Sequence, residues 1–287
     1  MKHNENTAII IGCARSGLAV ARLATKDGYR VSVYDKKTYN QFHKDDQERI
    51  DILQGEGVQF IFEPSISLDS YDLIIVSPGV PLDLPFIEEA IKKGKKVIGE
   101  LEYAATFCKA PIVAITGTNG KTTTTSLVGQ IIKAYNPNTY VVGNIGRAFS
   151  EDVLHIPESG VVVAEVSSFQ LETIETFHPK VSAILNITPD HLNRHKTMEN
   201  YCKAKYQVFI NQSDADYVIL NEQDEYFEEA KKLASGQVIT FNNQKATLRG
   251  AFSDGTSLYE NIGDRQELVC AIKDLKIVGA HNIENAL

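Results

Sequence analysis

Short apolar runs alternate with stretches of helical periodicity along the first hundred residues. The apolar runs predict buried strands, and they cover residues 7–11, 31–34, 73–76 and 97–98. After the first run, apolar residues recur at roughly helical spacing from Leu18 to Ala24, and a second helix is predicted over 86–93. Strands that alternate with helices in this way predict a parallel sheet covered on both faces.

A second alternating series begins at Pro111. A strand at 112–115 is followed by a helix whose buried face is marked by Leu127, Val128, Ile131 and Ile132. Further strands are predicted at 140–142, 161–164, 181–185 and 217–220. After Gln237 the chain changes to short extended pieces, such as 257–259 and 268–272, separated by Gly, Asn and Asp. These pieces indicate a small antiparallel appendage.

The two series predict an α/β fold with two domains, and the length of 287 residues agrees with that. We expect residues 1–99 to form a Rossmann-like parallel-sheet domain. Residues 100–287 should form a P-loop ATPase-like α/β domain that carries the appendage, with the boundary placed within 99–110. The final residues, 281–287, are typical of the opening turns of a helix without a stop signal. We therefore expect a further C-terminal domain to be missing.

Composition excludes several classes of function. The formal net charge of -8 argues against a general nucleic-acid binder. The four cysteines are scattered without a C-x-x-C pair, so a disulfide framework or zinc ribbon has no support and a reducing cytosol fits best. The first residues do not resemble a signal peptide, and no stretch approaches the roughly 18 apolar residues of a membrane span. We predict a cytoplasmic protein without membrane or nucleic-acid partners.

The segment GTNGKT at 117–122 lies between a predicted strand and helix, where backbone N–H groups favour an anion. Lys121 would reach the terminal phosphates of a nucleotide, and the Thr122 hydroxyl would face Mg²⁺. Ile115 departs from the usual phosphate-loop motif, because it stands where the first glycine is expected. The alternative is a glycine-containing turn capped by threonine.

The turn Gly12-Cys13-Ala14-Arg15-Ser16-Gly17, with Asp35 after the next strand, partly resembles a dinucleotide fingerprint. Ala14 replaces the glycine that lets the backbone approach a pyrophosphate. An anionic nucleotide could still bind here, helped by Arg15, Lys36 and Lys37. Tight packing of the strand against the helix is the alternative explanation.

Three further positions are candidates for chemistry. Glu165 ends an apolar strand, where a carboxylate could hold Mg²⁺ or cap a helix. His191 also follows a strand, and His195 is four residues further on, but no glutamate follows His191 as zinc hydrolases require, so a structural histidine stays open. Lys205 lies on a predicted helix, and from the residues alone it would be a solvated surface charge.

Taken together and in this order, six motifs resemble the Mur ligases over nearly the whole chain. They are GTNGKT, Gly143-Asn144-Ile145-Gly146, EVSSFQLE at 165–172, NITPDHL at 186–192, Tyr201-x-x-Ala204-Lys205 and His281-Asn282-x-x-Asn285.

The resemblance implies an ATP-dependent ligase of peptidoglycan synthesis. ATP would phosphorylate the carboxylate of UDP-N-acetylmuramoyl-L-alanine, and the amine of D-glutamate would attack the acyl phosphate. The implied catalytic residues are Lys121, Glu165, His191 and Lys205. The implied metal-site residues are Thr122, Glu165, His191 and Lys205, with two Mg²⁺ ions and a carbamylated Lys205. The protein is expected to be a monomer.

The resemblance also implies binding residues for each substrate. Those for ATP are Gly117, Thr118, Asn119, Gly120, Lys121, Thr122, Thr123, Asn282 and Asn285. Those for the uridine substrate are Arg15, Ser16, Asp35, Lys36, Ser77, Asn144 and Ser167.

Two departures from the family pattern matter. Asn193 stands where the family has aspartate in D-H-x-D. Family members also carry a C-terminal domain, so this chain is expected to bind its uridine substrate but to turn over poorly or not at all. Two other functions stay open. A nicotinamide-dependent dehydrogenase would use the first turn and Asp35, and a nucleotide-binding regulatory module would perform no chemistry.

Overall fold

The computed structural model describes residues 6–262, 265–277, 279 and 281–287. These residues divide into two compact units. Unit 1 runs to Cys108 and also takes in Arg147–His155 and Glu172–Phe177. Unit 2 comprises Lys109–Gly146, Ile156–Leu171 and His178–Leu287.

Unit 1 is built on a five-stranded sheet in the order β3-β2-β1-β4-β5, in which every pair is parallel. Its strands are β1 (Thr7–Ile11), β2 (Arg30–Tyr34), β3 (Gln59–Ile61), β4 (Leu73–Val76) and β5 (Lys96–Gly99). All five residues of β1 are buried, as expected for a central strand covered on both faces.

Unit 2 contains a nine-stranded sheet in the order β14-β13-β12-β11-β10-β9-β6-β8-β7. Its strands are β6 (Ile112–Thr116), β7 (Thr139–Gly143), β8 (Val161–Glu165), β9 (Val181–Ile184), β10 (Tyr217–Asn221), β11 (Gln237–Asn242), β12 (Gly250–Ser253), β13 (Ser257–Asn261) and β14 (Gln266–Ala271). Pairing is parallel from β7 to β12, and β12, β13 and β14 are antiparallel.

The helices connect these strands. In chain order they are α1 (Arg15–Lys26), α2 (Lys44–Gly55), α3 (Pro85–Lys92), α4 (Glu100–Ala105), α5 (Lys121–Tyr135), α6 (Phe149–Asp152), α7 (Ser168–Leu171), α8 (Leu192–His195), α9 (Met198–Tyr206), α10 (Phe227–Leu233) and α11 (His281–Ala286). Among the described residues, no helix is long and apolar enough to cross a membrane.

The predicted α/β class, the parallel sheet and the antiparallel appendage are confirmed. The appendage is not a separate layer, because β12 pairs with β11 and so continues the main sheet. The sequence pattern missed β3 and α2. The apolar signal is weak there, since α2 buries only Ile50 and Leu53 and no residue of β3 is fully buried.

Candidate active site

The phosphate-loop motif joins β6 to α5 in unit 2. Ile115 belongs to β6, is almost fully buried and pairs with Glu165 on one side and Ala183 on the other. The missing first glycine is therefore a core position of the strand. Gly120 has a φ of 85°, and a Cβ there would lie 2.2 Å from Asn285 Oδ1. Both the backbone angle and the close approach favour glycine.

Lys121 lies over the loop that precedes it. Its ammonium group donates hydrogen bonds to the carbonyl oxygens of Gly117 at 2.9 Å and Thr118 at 2.8 Å. Burial lowers the pKa of Lys121, while the negative charges of Glu165 and Asp190 act in the opposite direction. The loop thus holds a partly desolvated cation at the N-terminus of α5, a position that favours a bound anion.

Glu165 is the centre of a hydrogen-bonded group beside this loop. Its carboxylate accepts the Thr122 hydroxyl at 2.8 Å and the Asn144 side-chain amide at 2.7 Å. The residue is 1% exposed and ends β8. Gly143 allows the close approach of β7, since a Cβ there would lie 2.3 Å from the Glu165 carbonyl oxygen. A carboxylate, a hydroxyl and an amide are therefore brought together from three elements.

Lys205 is buried in α9, contrary to the surface position that its sequence neighbours favour. It is 1% exposed, and its Nζ lies 4.6 Å from the centre of the Tyr201 ring. Desolvation, followed by the nearby charge of Lys121, lowers the pKa of Lys205 to about 7. A large fraction of this amine is therefore neutral near physiological pH.

Thr118 connects the phosphate loop to the elements around Lys205. Its hydroxyl lies 3.1 Å from the Tyr201 hydroxyl, donates to the Thr188 carbonyl oxygen and accepts from the Thr188 N–H. Asn186 adds a second connection, because its side-chain oxygen accepts the Asn119 N–H at 2.8 Å. The sequence pattern indicated no separate role for Tyr201 or Thr188, which were part of longer motifs. The only local indication of a role in the site was that Thr188 follows β9 and that Tyr201 lies on α9.

The two candidate histidines differ in exposure and in their polar neighbours. His191 has a φ of 52°, has a half-exposed side chain and places its Nε2 3.5 Å from Asp190 Oδ2. His195 is buried, and its Nε2 lies 3.0 Å from the Ser168 hydroxyl. Both rings contact the Phe169 ring, with centroids 4.9 and 5.5 Å away. His195 therefore has a structural position, and His191 has the accessible one.

Five other residues singled out in the sequence lie in unit 2. The Ser167 hydroxyl donates to the Gln170 side-chain oxygen at 3.0 Å, within the turn that begins α7. Asn285 lies near the loop, 3.5 Å from the Thr124 hydroxyl, and donates to Asn282 Oδ1 at 2.8 Å. Asn193 is exposed on α8. Thr123 follows Thr122 in the first turn of α5.

The predicted uridine-site residues of unit 1 gather around the end of β1. Asp35 accepts the N–H groups of Cys13 at 2.9 Å and Lys37 at 2.9 Å. Ser77 is buried, and its hydroxyl donates to the Gly12 carbonyl oxygen at 3.1 Å, so it supports the turn. Arg15, Ser16 and Lys36 are accessible at the same turn or after β2. Asn144 and Ser167 belong to unit 2.

No group of three His, Cys, Asp or Glu side chains that could hold a metal occurs within the part of the chain that the structure describes. Beside the phosphate loop, the Thr122 hydroxyl and the Glu165 carboxylate are oxygen donors of the kind that hard cations select.

Two family models match the chain. Residues 6–99 match "Mur ligase MurD-like, N-terminal domain", and residues 115–287 match "Mur ligase middle domain". Among curated proteins, the UDP-N-acetylmuramoylalanine--D-glutamate ligase of Alkaliphilus metalliredigens is 44% identical over 291 residues, covering 100% of this chain and 63% of the relative. The enzyme of the same name from Pelotomaculum thermopropionicum is 44% identical over 97% of this chain and 61% of its own length. The chain thus spans less than two thirds of these relatives.

Solved structures agree in fold. UDP-N-acetylmuramate:L-alanyl-gamma-D-glutamyl-meso-diaminopimelate ligase from Neisseria meningitides has a TM-score of 0.62 at 16% identity, covering 99% of this chain and 91% of that one. UDP-N-acetylmuramate-alanine ligase from Thermotoga maritima has a TM-score of 0.53 at 24% identity, covering 98% of this chain and 63% of that one. The matched models and the curated relatives lead to one conclusion: the chain belongs to the Mur ligase family.

Proposed function

We propose that this chain provides the ATP site and the uridine-substrate site of a ligase that joins D-glutamate to UDP-N-acetylmuramoyl-L-alanine in peptidoglycan synthesis. The curated relatives that cover the whole chain at 44% identity carry that activity in their name. We further propose that residues 1–99 bind the uridine substrate, that 100–287 bind ATP, and that D-glutamate is bound by a further C-terminal domain.

The observation that carries this proposal is the contact between the phosphate loop and Glu165. The loop places a cation, Lys121, next to a threonine hydroxyl whose partner is a buried carboxylate. Phosphoryl transfer needs positioned positive charge and a metal held by oxygen donors, and little covalent chemistry from the protein. A dehydrogenase has no use for this arrangement.

The residues present suit Mg²⁺, because hydroxyl and carboxylate oxygens are the donors that hard cations select. Mur ligases in general use ATP and Mg²⁺. We assign Thr122, Glu165, His191 and Lys205 to the metal site, with two ions. When bound, Mg²⁺ neutralises charge on the phosphate oxygens. The chain's own part is to hold Glu165 through Thr122 and Asn144.

The proposed reaction has two steps. A carboxylate oxygen of the uridine substrate attacks the γ-phosphorus, so that a new O–P bond forms and the bond to ADP breaks. The amine of D-glutamate then attacks the acyl carbon, phosphate leaves and the nitrogen loses a proton. Lys121 supports the first step by balancing charge on the transferred group.

We also propose that Lys205 is carbamylated. Its neutral amine would add to CO₂ and release one proton, and the carbamate that forms would offer Mg²⁺ an oxygen ligand. The pKa of about 7 supports this, since only the neutral amine reacts. Nuclear magnetic resonance with ¹³C-labelled bicarbonate should show a carbamate signal that is absent from Lys205→Met. The same signal in both proteins would contradict the assignment.

Calorimetric titration of the 287-residue chain tests the function. UDP-N-acetylmuramoyl-L-alanine should bind, whereas NADH run in parallel should not. ATP with Mg²⁺ should bind about tenfold or more weakly to Lys121→Ala, because a charged hydrogen bond to phosphate is lost. Lys133→Ala is the matched control, since Lys133 is exposed in the last turn of the same helix.

The outcomes separate the candidate functions. Binding of NADH alone would favour the dehydrogenase. ATP binding without amide formation, in a protein extended to the length of its relatives, would favour the regulatory module. We propose that the protein is a cytoplasmic monomer. Sedimentation equilibrium would test the monomeric state directly.

A further inference from the structure

A groove of about 240 Å³ lies on unit 1. Three helical segments line it, and each contributes residues at spacings of three and four, so that one face of each segment is turned to the groove. The segments are α1, α2 and the stretch 147–155, which includes α6.

The walls of the groove carry an excess of positive charge. Arg22 is paired with Glu56 at 2.9 Å. Arg147 is paired with Glu151 at 3.2 Å and with Asp152 at 3.1 Å, so the acids of this region are already engaged.

The remaining basic side chains on these walls are Arg15, Lys26 and Arg49. No ion pair joins any of the three to another residue within the described ranges. Cations gathered without salt bridges raise one another's energy, and a bound anion would relieve this. The overall charge of the protein is negative, at -8, so a basic groove is not a by-product of composition.

The floor of the groove is apolar. Leu18, Leu23 and Leu53 are buried there, and two large apolar side chains remain accessible, Ile52 with 53% and Leu154 with 47% exposure. Exposed aliphatic side chains beside unpaired cations suit a ligand that has an apolar body as well as a charge. They do not suit a simple inorganic anion.

Ser150 joins this wall of the groove to a buried carboxyl group. It lines the groove and is 6% exposed. Its backbone N–H donates to Glu100 Oε1 at 2.7 Å, and its side chain also bonds to Glu100. Burial raises the pKa of Glu100. Ser150 is therefore engaged by the protein, and the accessible cations and aliphatic side chains are the groups left for a ligand.

We propose that this groove binds an amphiphilic anion, one phosphate, sulfonate or carboxylate group attached to an apolar body. The charged group would lie among Arg15, Lys26 and Arg49, and the body would cover Ile52 and Leu154. Of the proposed uridine-site residues, Arg15 is shared with the groove. The proposal does not depend on the ligase activity, because it rests on the groove alone.

The probe is 8-anilinonaphthalene-1-sulfonate, whose fluorescence rises on transfer to an apolar site. N-phenyl-1-naphthylamine has the same rings without the sulfonate and serves as the neutral comparison. Arg49→Glu should weaken sulfonate binding by about tenfold or more, as expected for loss of a charged contact, and should leave the neutral dye nearly unchanged. Lys44→Glu is the matched control, because Lys44 is exposed on α2 outside the groove.

Leu154→Asp provides a second test, since it places a negative charge on the apolar floor and should weaken both dyes. Because both substituted positions are exposed, far-ultraviolet circular dichroism should match the unaltered chain. Sulfonate binding that is equally tight in the unaltered protein, Arg49→Glu and Leu154→Asp would overturn the proposal. So would equal weakening by Lys44→Glu, because this would reflect general charge and not the groove.

Discussion

Lys205 allows a quantitative prediction, because its burial should cost stability in a pH-dependent way. The pKa falls from an ordinary value of 10.5 to about 7. Each pKa unit corresponds to about 1.4 kcal/mol, so the buried ammonium should destabilise the fold by roughly 5 kcal/mol well below pH 7. Lys205→Met keeps the length of the side chain and its contact with the Tyr201 ring, and it removes the charge.

The direction in which stability changes with pH follows from the number of protons bound in the folded and unfolded states. Between pH 7 and 10.5 the unfolded chain holds more protons at this position than the folded chain does. The free energy of unfolding of the unaltered protein therefore rises with pH across this window. Lys205→Met should be more stable by about 4 kcal/mol at pH 7, and the difference should shrink by about 1.4 kcal/mol per pH unit until it nears zero at pH 10.5.

Urea unfolding of both proteins from pH 6 to 10, in buffers free of CO₂, would measure this difference. Lys203→Met is the control, because Lys203 is exposed on the same helix and is paired with Glu199. Its effect should stay within about 0.5 kcal/mol, as for most surface changes. A stability difference between the unaltered protein and Lys205→Met that does not change with pH would refute the reasoning.

Three further predictions concern the loop and the packing of unit 1. Gly120→Ala should weaken ATP binding measured by calorimetry, because a φ of 85° strains alanine and a methyl group there would displace the Asn285 side chain. Gly28→Ala has a φ of 90° in open space and should leave ATP affinity unchanged. Thr122→Val should weaken ATP binding about tenfold with Mg²⁺ and little without it, and an equal loss in both conditions would contradict the metal assignment. Glu102→Ala should lower the free energy of unfolding of unit 1 by about 3 kcal/mol or more, since its buried carboxylate accepts the N–H groups of residues 175, 176 and 177. Glu175→Ala is the control, because Glu175 is an exposed neighbour and its loss should have little effect. Equal urea midpoints for the two variants would argue against this role of Glu102.

Local pattern was sufficient to predict the strands that are buried on both faces. β1 and β6 are continuous apolar runs, and each precedes a glycine-containing turn and a helix. The same pattern located the phosphate loop, because its residues are consecutive. Elements with little buried surface, such as α2, gave too weak a periodic signal.

The interior of the candidate site could not be predicted from local sequence. Thr118 meets Tyr201 across 83 residues, and that contact depends on the order of strands in the sheet. Lys205 is a charged residue on a short helix, and only the packing of that helix shows that the side chain is buried. Long-range contacts of this kind are decided by the tertiary fold.

The contacts of Thr118 also bear on how the protein could escape an inhibitor. Its hydroxyl serves two partners on different elements, and its backbone N–H donates to the Asn186 carbonyl oxygen at 2.9 Å. A substitution that removes this hydroxyl would disturb the phosphate loop together with the segment that follows β9. A compound anchored on Thr118 would therefore face a position where resistance mutations carry a penalty in function.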